Sequence, residues 1–118
     1  MIIAKIYEDK NNYIRRYSIN GHSNYAKHGS DIVCAAVSAL AQTTLISLVE
    51  VCELEEQSID YKVDDELGLL DVILPKDIEA SKLEKSQILL KSLVVGMYSI
   101  IESYPDYINL EHRRCSDD

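Results

Sequence analysis

The 118-residue chain has no tryptophan and no phenylalanine, so Leu, Ile, Val and eight tyrosines must fill its interior. Basic residues are also scarce, with 12 Lys and Arg against 20 Asp and Glu and a formal net charge of −8. A nucleic-acid binder neutralises phosphates with clustered cations. The nearest approach is two adjacent pairs, Arg15-Arg16 and Arg113-Arg114, in an acidic background, so nucleic acid is excluded as the main partner. An acidic surface instead favours encounter with a basic partner. The start, MIIAKIYEDK, lacks the charged region, apolar run and small-residue cleavage site of a secretory signal. No apolar stretch is expected to span a membrane, because Gln42, Thr43, Thr44, Ser47 and Glu50 interrupt the most hydrophobic segment. The cysteines, Cys34, Cys52 and Cys115, are odd in number and lack metal-ligand spacing, so they are expected to be free thiols in a reducing, cytoplasmic compartment.

What is present suits one domain over residues 1–118, since 47% hydrophobic and 27% charged residues are ordinary for a globular chain. Alternation predicts a strand over Ile2–Tyr7, with Ile2, Ala4 and Ile6 on one face, and a second over Tyr13–Ile19. The polar turn Glu8–Asn12 joins them as a hairpin. Asn20–Ser30 reads as a loop, holding Gly21, Gly29, His22 and His28; a loop this long in a small domain is often functional. A helix follows from Asp31 to about Glu53, and apolar residues nearly surround its first half, which predicts a buried helix. A second hairpin is expected from Gln57–Asp64, with Ile59, Tyr61 and Val63 on its apolar face, and from Leu67–Leu74. Leu69 and Ile73 on the other face of the latter predict a central strand covered on both sides. A second helix spans Ile78–Ser103 with Leu83, Leu90, Leu93, Val94, Met97 and Ile101 at helical spacing, and Tyr104-Pro105 stops it. Tyr107–His112 reads as the last strand, with residues 113–118 as a frayed tail. The order ββαββαβ implies an α/β (α+β) two-layer sandwich, a mixed sheet with two helices on one face.

The chemistry concentrates at the start of the first helix. Ser30 or Asp31 can cap it, and either choice puts Cys34 in the first turn. A helix N-terminus favours a thiolate, which is the nucleophilic form, and its free N–H groups can hold an oxyanion. A nucleophilic cysteine needs an imidazole to take its proton. His22, after Gly21, is better placed than His28, which reads as a solvated loop residue. Asp31 has two candidate roles, as the helix cap or as the third group that orients the imidazole. Against this, a lone helical cysteine is ordinarily core packing, as expected for Cys52, while Cys115 lies in the tail. A zinc site of His22, His28 and Cys34 is disfavoured because its spacing is not that of usual zinc sites; no metal or cofactor is expected. Ser38, one turn beyond Cys34, is expected to contact backbone or loop.

The run Gly21-His22-Ser23 followed by Gly29-Ser30-Asp31-Ile32-Val33-Cys34-Ala35-Ala36-Val37-Ser38 resembles the ribosomal-processing cysteine protease family (Prp, YsxB-like) across essentially the whole chain. The resemblance implies a catalytic dyad of His22 and Cys34 and a homodimer. It further implies an endopeptidase that removes the N-terminal extension of bacterial large ribosomal subunit protein twenty-seven during ribosome assembly. It also implies a loop between the Gly-His pair and the helix that rearranges over substrate, with Gly21, Ser23, Gly29, Ser30 and Ser38 as candidate substrate contacts. Ser23 departs from the alanine expected in many relatives. The competing reading is a non-catalytic module that binds a ribosomal protein precursor.

Overall fold

The computed structural model describes residues 1–27 and 31–115. Strands β1 (Ile2–Glu8) and β2 (Ile14–Asn20) precede helix α1 (Ile32–Glu50). A 3-10 turn, Glu56–Ser58, leads to β3 (Asp60–Asp64) and β4 (Leu69–Ile73), then to α2 (Ala80–Ser103) and β5 (Ile108–Arg114). The sheet order is β3-β4-β2-β1-β5, antiparallel throughout except that β1 and β5 run parallel. This is the expected ββαββαβ sandwich with its mixed sheet.

Period-two alternation sets the inner face. Ile2, Ala4 and Ile6 are buried, and the register places Ile19 beside Ala4, Tyr17 beside Ile6, and Ile108 and Leu110 beside Ile2 and Ala4. In the absence of Phe and Trp, Tyr17 is the largest fully buried side chain; its hydroxyl donates to the Ala41 carbonyl of α1 at 2.8 Å, so its polar end is satisfied. The opposite face is polar. Arg16 there makes a two-point ion pair with Asp71 on the neighbouring strand and lies over the Tyr7 ring.

α1 buries only the stripe Val33, Val37, Ala41, Thr44 and Leu48, while Ile32, Ala35, Ala36, Ser38 and Ala39 are exposed. The expectation of a buried first half is therefore corrected: only one side of α1 meets the sheet and α2. Nor do the polar residues of α1 disqualify it as a membrane span, since by length and composition it is long and apolar enough. The reason is that Gln42, Thr43, Thr44 and Ser47 are uncharged and Glu50 stands at the very end. α2 meets α1 closely where Gly96, lacking a Cβ, lies against Leu40.

Three other expectations need revision. β3 is exposed at all five residues, including Tyr61 and Val63, because it is the sheet edge; of the predicted apolar face only Ile59, just before it, is buried. β4 is flanked on both sides by strands, but Leu69 and Ile73 are only half-buried, since the helices cover the other face. The last strand runs through Arg113 and Arg114, which pair with Tyr7 and Glu8, so the ordered domain extends beyond His112.

A second long-range polar contact, besides Tyr17 to Ala41, ties a helix to the sheet. Gln87 of α2, buried, accepts from Ile14 N–H at 2.7 Å and donates to Ile14 C=O at 3.0 Å, completing the backbone where the β1–β2 register shifts. Gln87→Ala leaves both backbone groups buried without that partner. It is expected to cost about 1–3 kcal/mol in urea unfolding, whereas the exposed Lys91→Ala on the same helix stays near wild type.

Candidate active site

The site begins at the cap of α1. Asp31 has extended backbone angles, and its Oδ1 accepts from Val33 N–H and Cys34 N–H, both at 3.0 Å. Its Oδ2 accepts from the Ser23 hydroxyl in a very short contact, from Tyr25 N–H at 3.0 Å and from Ala26 N–H at 3.3 Å. Asp31, 8% exposed, thus caps the helix and ties the preceding loop to it. Burial alone would raise its carboxyl. The hydrogen bonds from Ser23 and from the N–H groups of Cys34, Ala26 and Tyr25 outweigh burial and hold it at about 2, against 3.8 ordinarily.

This arrangement alters one element of the expected chemistry. The N–H groups of Val33 and Cys34, expected to await an oxyanion, are committed to Asp31, and Ala35 N–H bonds the Asp31 carbonyl at 3.0 Å. The donor that points at the sulfur comes from the loop instead. Ser23 N–H reaches Cys34 Sγ at 3.3 Å, and Ser23 Oγ lies 3.3 Å from the same atom. Tyr25 anchors that loop, packing edge-on against Tyr104 and Tyr107 at the end of α2 and the approach to β5.

His22 is held from the other side. Gly21, at φ +97, turns the chain where an added Cβ would stand 2.6 Å from the Met1 carbonyl oxygen. His22 Nε2 then lies 2.8 Å from the Glu66 carbonyl in the β3–β4 turn. Gly68, at φ +62, closes that turn, and a Cβ there would approach Gly21 O to 2.3 Å and His22 Cε1 to 3.1 Å. A hydrogen bond to a carbonyl requires the proton on Nε2, which leaves the lone pair on Nδ1. The sequence left open what orients His22; the Glu66 main chain, 44 residues away, is a group that local spacing could not reveal.

Cys34, His22, Gly21, Asp31 and Ser38 line one cleft of about 580 Å³ between α1 and the β3–β4 hairpin, with Ile19, Val37, Ala41, Val63 and Leu70 giving it an apolar floor. Ser38 accepts from Gln42 Nε2 at 2.8 Å, a structural role, although it borders the cleft. His28, Gly29 and Ser30 lie outside the described residues. Cys52 is a core thiol, raised by burial. Cys115 is half-buried and its N–H bonds Glu8 C=O at 3.0 Å, so it continues the sheet edge rather than fraying.

A cysteine in the first turn of a capped helix, sharing a cleft with a histidine, is the arrangement of a thiol hydrolase. The family model described as cysteine protease Prp matches residues 1–109, and the chain belongs to that family. It is therefore a cysteine-type peptidase. It is 24% identical over 110 residues to the ribosomal processing cysteine protease Prp of Bacillus subtilis, covering 93% of this chain and 96% of that protein. The fold matches the crystal structure of the essential ribosomal processing protease Prp from S. aureus with a covalently linked product peptide (TM-score 0.83, 22% identity, 96% of this chain and 100% of the other). It also matches the S. aureus enzyme with a substrate peptide (TM-score 0.78, 21% identity, 96% and 100%).

The Asp31 carboxylate makes stability pH-dependent. Its folded value lies below its ordinary one, so its contribution is complete above pH 3.8 and disappears as the pH falls towards about 2. Asp31→Ala is expected to lose about 0.5–2 kcal/mol at neutral pH and to lack this part of the acid slope. Thermal unfolding of both proteins between pH 2 and 7 checks this.

Proposed function

We propose that the chain is an endopeptidase with a His22–Cys34 dyad that removes the N-terminal extension of bacterial large ribosomal subunit protein twenty-seven. The observation that carries the reading is the Cys34 sulfur at the capped start of α1, in the same cleft as an imidazole whose Nε2 is held by the Glu66 carbonyl. In this tautomer Nδ1 of His22 is the base. It takes the Cys34 proton as the sulfur attacks the scissile carbonyl carbon. Collapse of the tetrahedral adduct breaks the C–N bond, and the imidazolium protonates the leaving amine. Water then adds to the thioester, with His22 again as base, and restores the thiol. Glu66 here does what the carboxylate does in a three-membered triad, fixing tautomer and ring direction without a charge.

The substrate assignment draws on the relatives, which are ribosomal processing cysteine proteases, and on the chemistry of the cleft. An apolar floor under Asp64 and Asp65 suits a peptide with apolar side chains next to basic ones, and a ribosomal protein precursor is basic. A reducing cytoplasm suits a nucleophilic thiol and three free cysteines. The non-catalytic alternative leaves the thiol contacts of Ser23, and a histidine in the same cleft, without a purpose.

Cleavage of a synthetic peptide spanning the extension junction, followed by mass spectrometry, tests the reading. Wild type is expected to cut at one bond, with activity down at least about a hundredfold in Cys34→Ala and His22→Ala. Equal cleavage by Cys34→Ala would sink the mechanism, and full biological function in Cys34→Ser would favour the binding module.

The protein is further expected to act as a homodimer. Ile32 and Ile46 on α1, and Ile88 and Val95 on α2, are each more than half exposed, an apolar surface of the sort subunit contacts cover. Sedimentation is expected to give a dimer for wild type, and Ile88→Glu with Val95→Glu is expected to shift it towards monomer.

A further inference from the structure

Ser23 places its hydroxyl between the nucleophile and the cap. It is 3% exposed, lies eleven positions before Cys34, and presents two atoms to one sulfur: its N–H and its Oγ, each 3.3 Å from Sγ. The direction of these bonds follows from counting protons. Ser23 Oγ carries one hydrogen, and its hydrogen bond to Asp31 Oδ2 claims it, because a carboxylate is the strongest acceptor present. Tyr25 N–H also donates to Ser23 Oγ, at 3.3 Å, so this oxygen faces its remaining neighbours as an acceptor. Between Ser23 Oγ and Sγ the hydrogen therefore belongs to sulfur. The sulfur receives one donor, Ser23 N–H, and gives its own proton to one acceptor, Ser23 Oγ.

We infer that Ser23 is a positioning residue that holds resting Cys34 as a hydrogen-bonded thiol, aimed at the loop and kept from ionising until the loop moves. This rests on the reading of Cys34 as the nucleophile. A neutral S–H is matched by one donor and one acceptor, whereas a thiolate next to the Ser23 oxygen lone pairs is not. Forming the thiolate requires Ser23 either to swing its hydrogen from Asp31 to sulfur or to move away with the loop. Because Asp31 also holds Tyr25 and Ala26, a substrate that displaces this segment releases the acceptor and frees the thiol for His22 in one motion. The consequence is low reactivity towards stray electrophiles in the empty enzyme. An alanine at this position keeps the N–H and loses the oxygen acceptor that touches the sulfur, which favours the anion.

The charged and titratable groups that share the cleft with Cys34 are His22 and Asp31 on the loop side and Asp64 and Asp65 on the β3–β4 hairpin. α1 itself carries no other charge before Glu50, and α2 meets it through Gly96 against Leu40. None of these groups is substituted in the variants below, and Ser23→Thr keeps the hydroxyl that donates to Asp31, so a pH profile displaced in Ser23→Ala but not in Ser23→Thr reports the Ser23 hydroxyl.

The test is the rate of iodoacetamide alkylation of Cys34 from pH 5 to 9, resolved from Cys52 and Cys115 by peptide mapping. In Ser23→Ala the profile is expected to move to lower pH, with a rate about three- to tenfold above wild type at pH 7, the size of one hydrogen bond. Ser23→Thr, which keeps the hydroxyl, is expected to follow wild type. The infrared S–H band assigned by difference from Cys34→Ala gives a second reading that needs no threonine. It is expected to shift to higher frequency in folded Ser23→Ala. A Ser23→Ala profile superimposed on wild type, or moved to higher pH, overturns the inference, as does an unshifted S–H band. Neither readout uses peptide cleavage. A wild-type enzyme that fails to cut the precursor peptide while Ser23→Ala shows the shift counts against the substrate reading alone.

Discussion

The architecture of the site hangs on one carboxylate. Asp31 accepts five hydrogen bonds from two directions, with Val33 and Cys34 on the helix side and Ser23, Tyr25 and Ala26 on the loop side. Removing its charge would release the first turn of α1 and the segment facing the sulfur together. Its depressed carboxyl is the thermodynamic record of that arrangement, since a group paid no attention by its neighbours would sit near its ordinary value. Capping and positioning are thus the same act here. Asp31 is the cap of α1, and the Glu66 main chain holds His22 Nε2.

The second constraint is steric. Two glycines with positive φ, Gly21 and Gly68, stack the loop carrying His22 against the β3–β4 turn, and neither position has room for a Cβ. The edge hairpin is exposed along its whole first strand, so few inner-face contacts secure it. Its seat on the loop therefore matters for where His22 points. A cleft wall made from an edge strand also leaves unpaired backbone groups along β3, the sort of surface an extended peptide can follow.

Much of this was legible in the sequence. Alternation in Ile2–Ile6 fixed the inner face of β1, and the Asp31-to-Cys34 spacing located both the cap and the thiol in the first helical turn. Cys52 reads as core on composition and is core. What failed was whatever depended on position within the assembled layers. The apolar face of β3 is open because β3 is an edge, and α1 is half exposed because only one side of it meets other elements. The Gln87 clamp on Ile14 and the Glu66 contact to His22 join residues 73 and 44 positions apart, beyond the reach of any local pattern. The engagement of the Val33 and Cys34 N–H groups could have been foreseen, because an aspartate cap consumes the donors that a helix start offers.

The pairing of β1 with β5 has a consequence for when the enzyme comes into being. Ile2 lies beside Ile108, so β1 lacks its β5 partner until residues 108–114 have been made. Cap, thiol, histidine and cleft walls are all encoded before residue 75, yet β5, which closes the sheet beside β1, is encoded only at residues 108–114. Contacts of such long separation form slowly and late. Assembly of the active centre is in this way tied to the arrival of β5, well after the residues of the centre itself have been made.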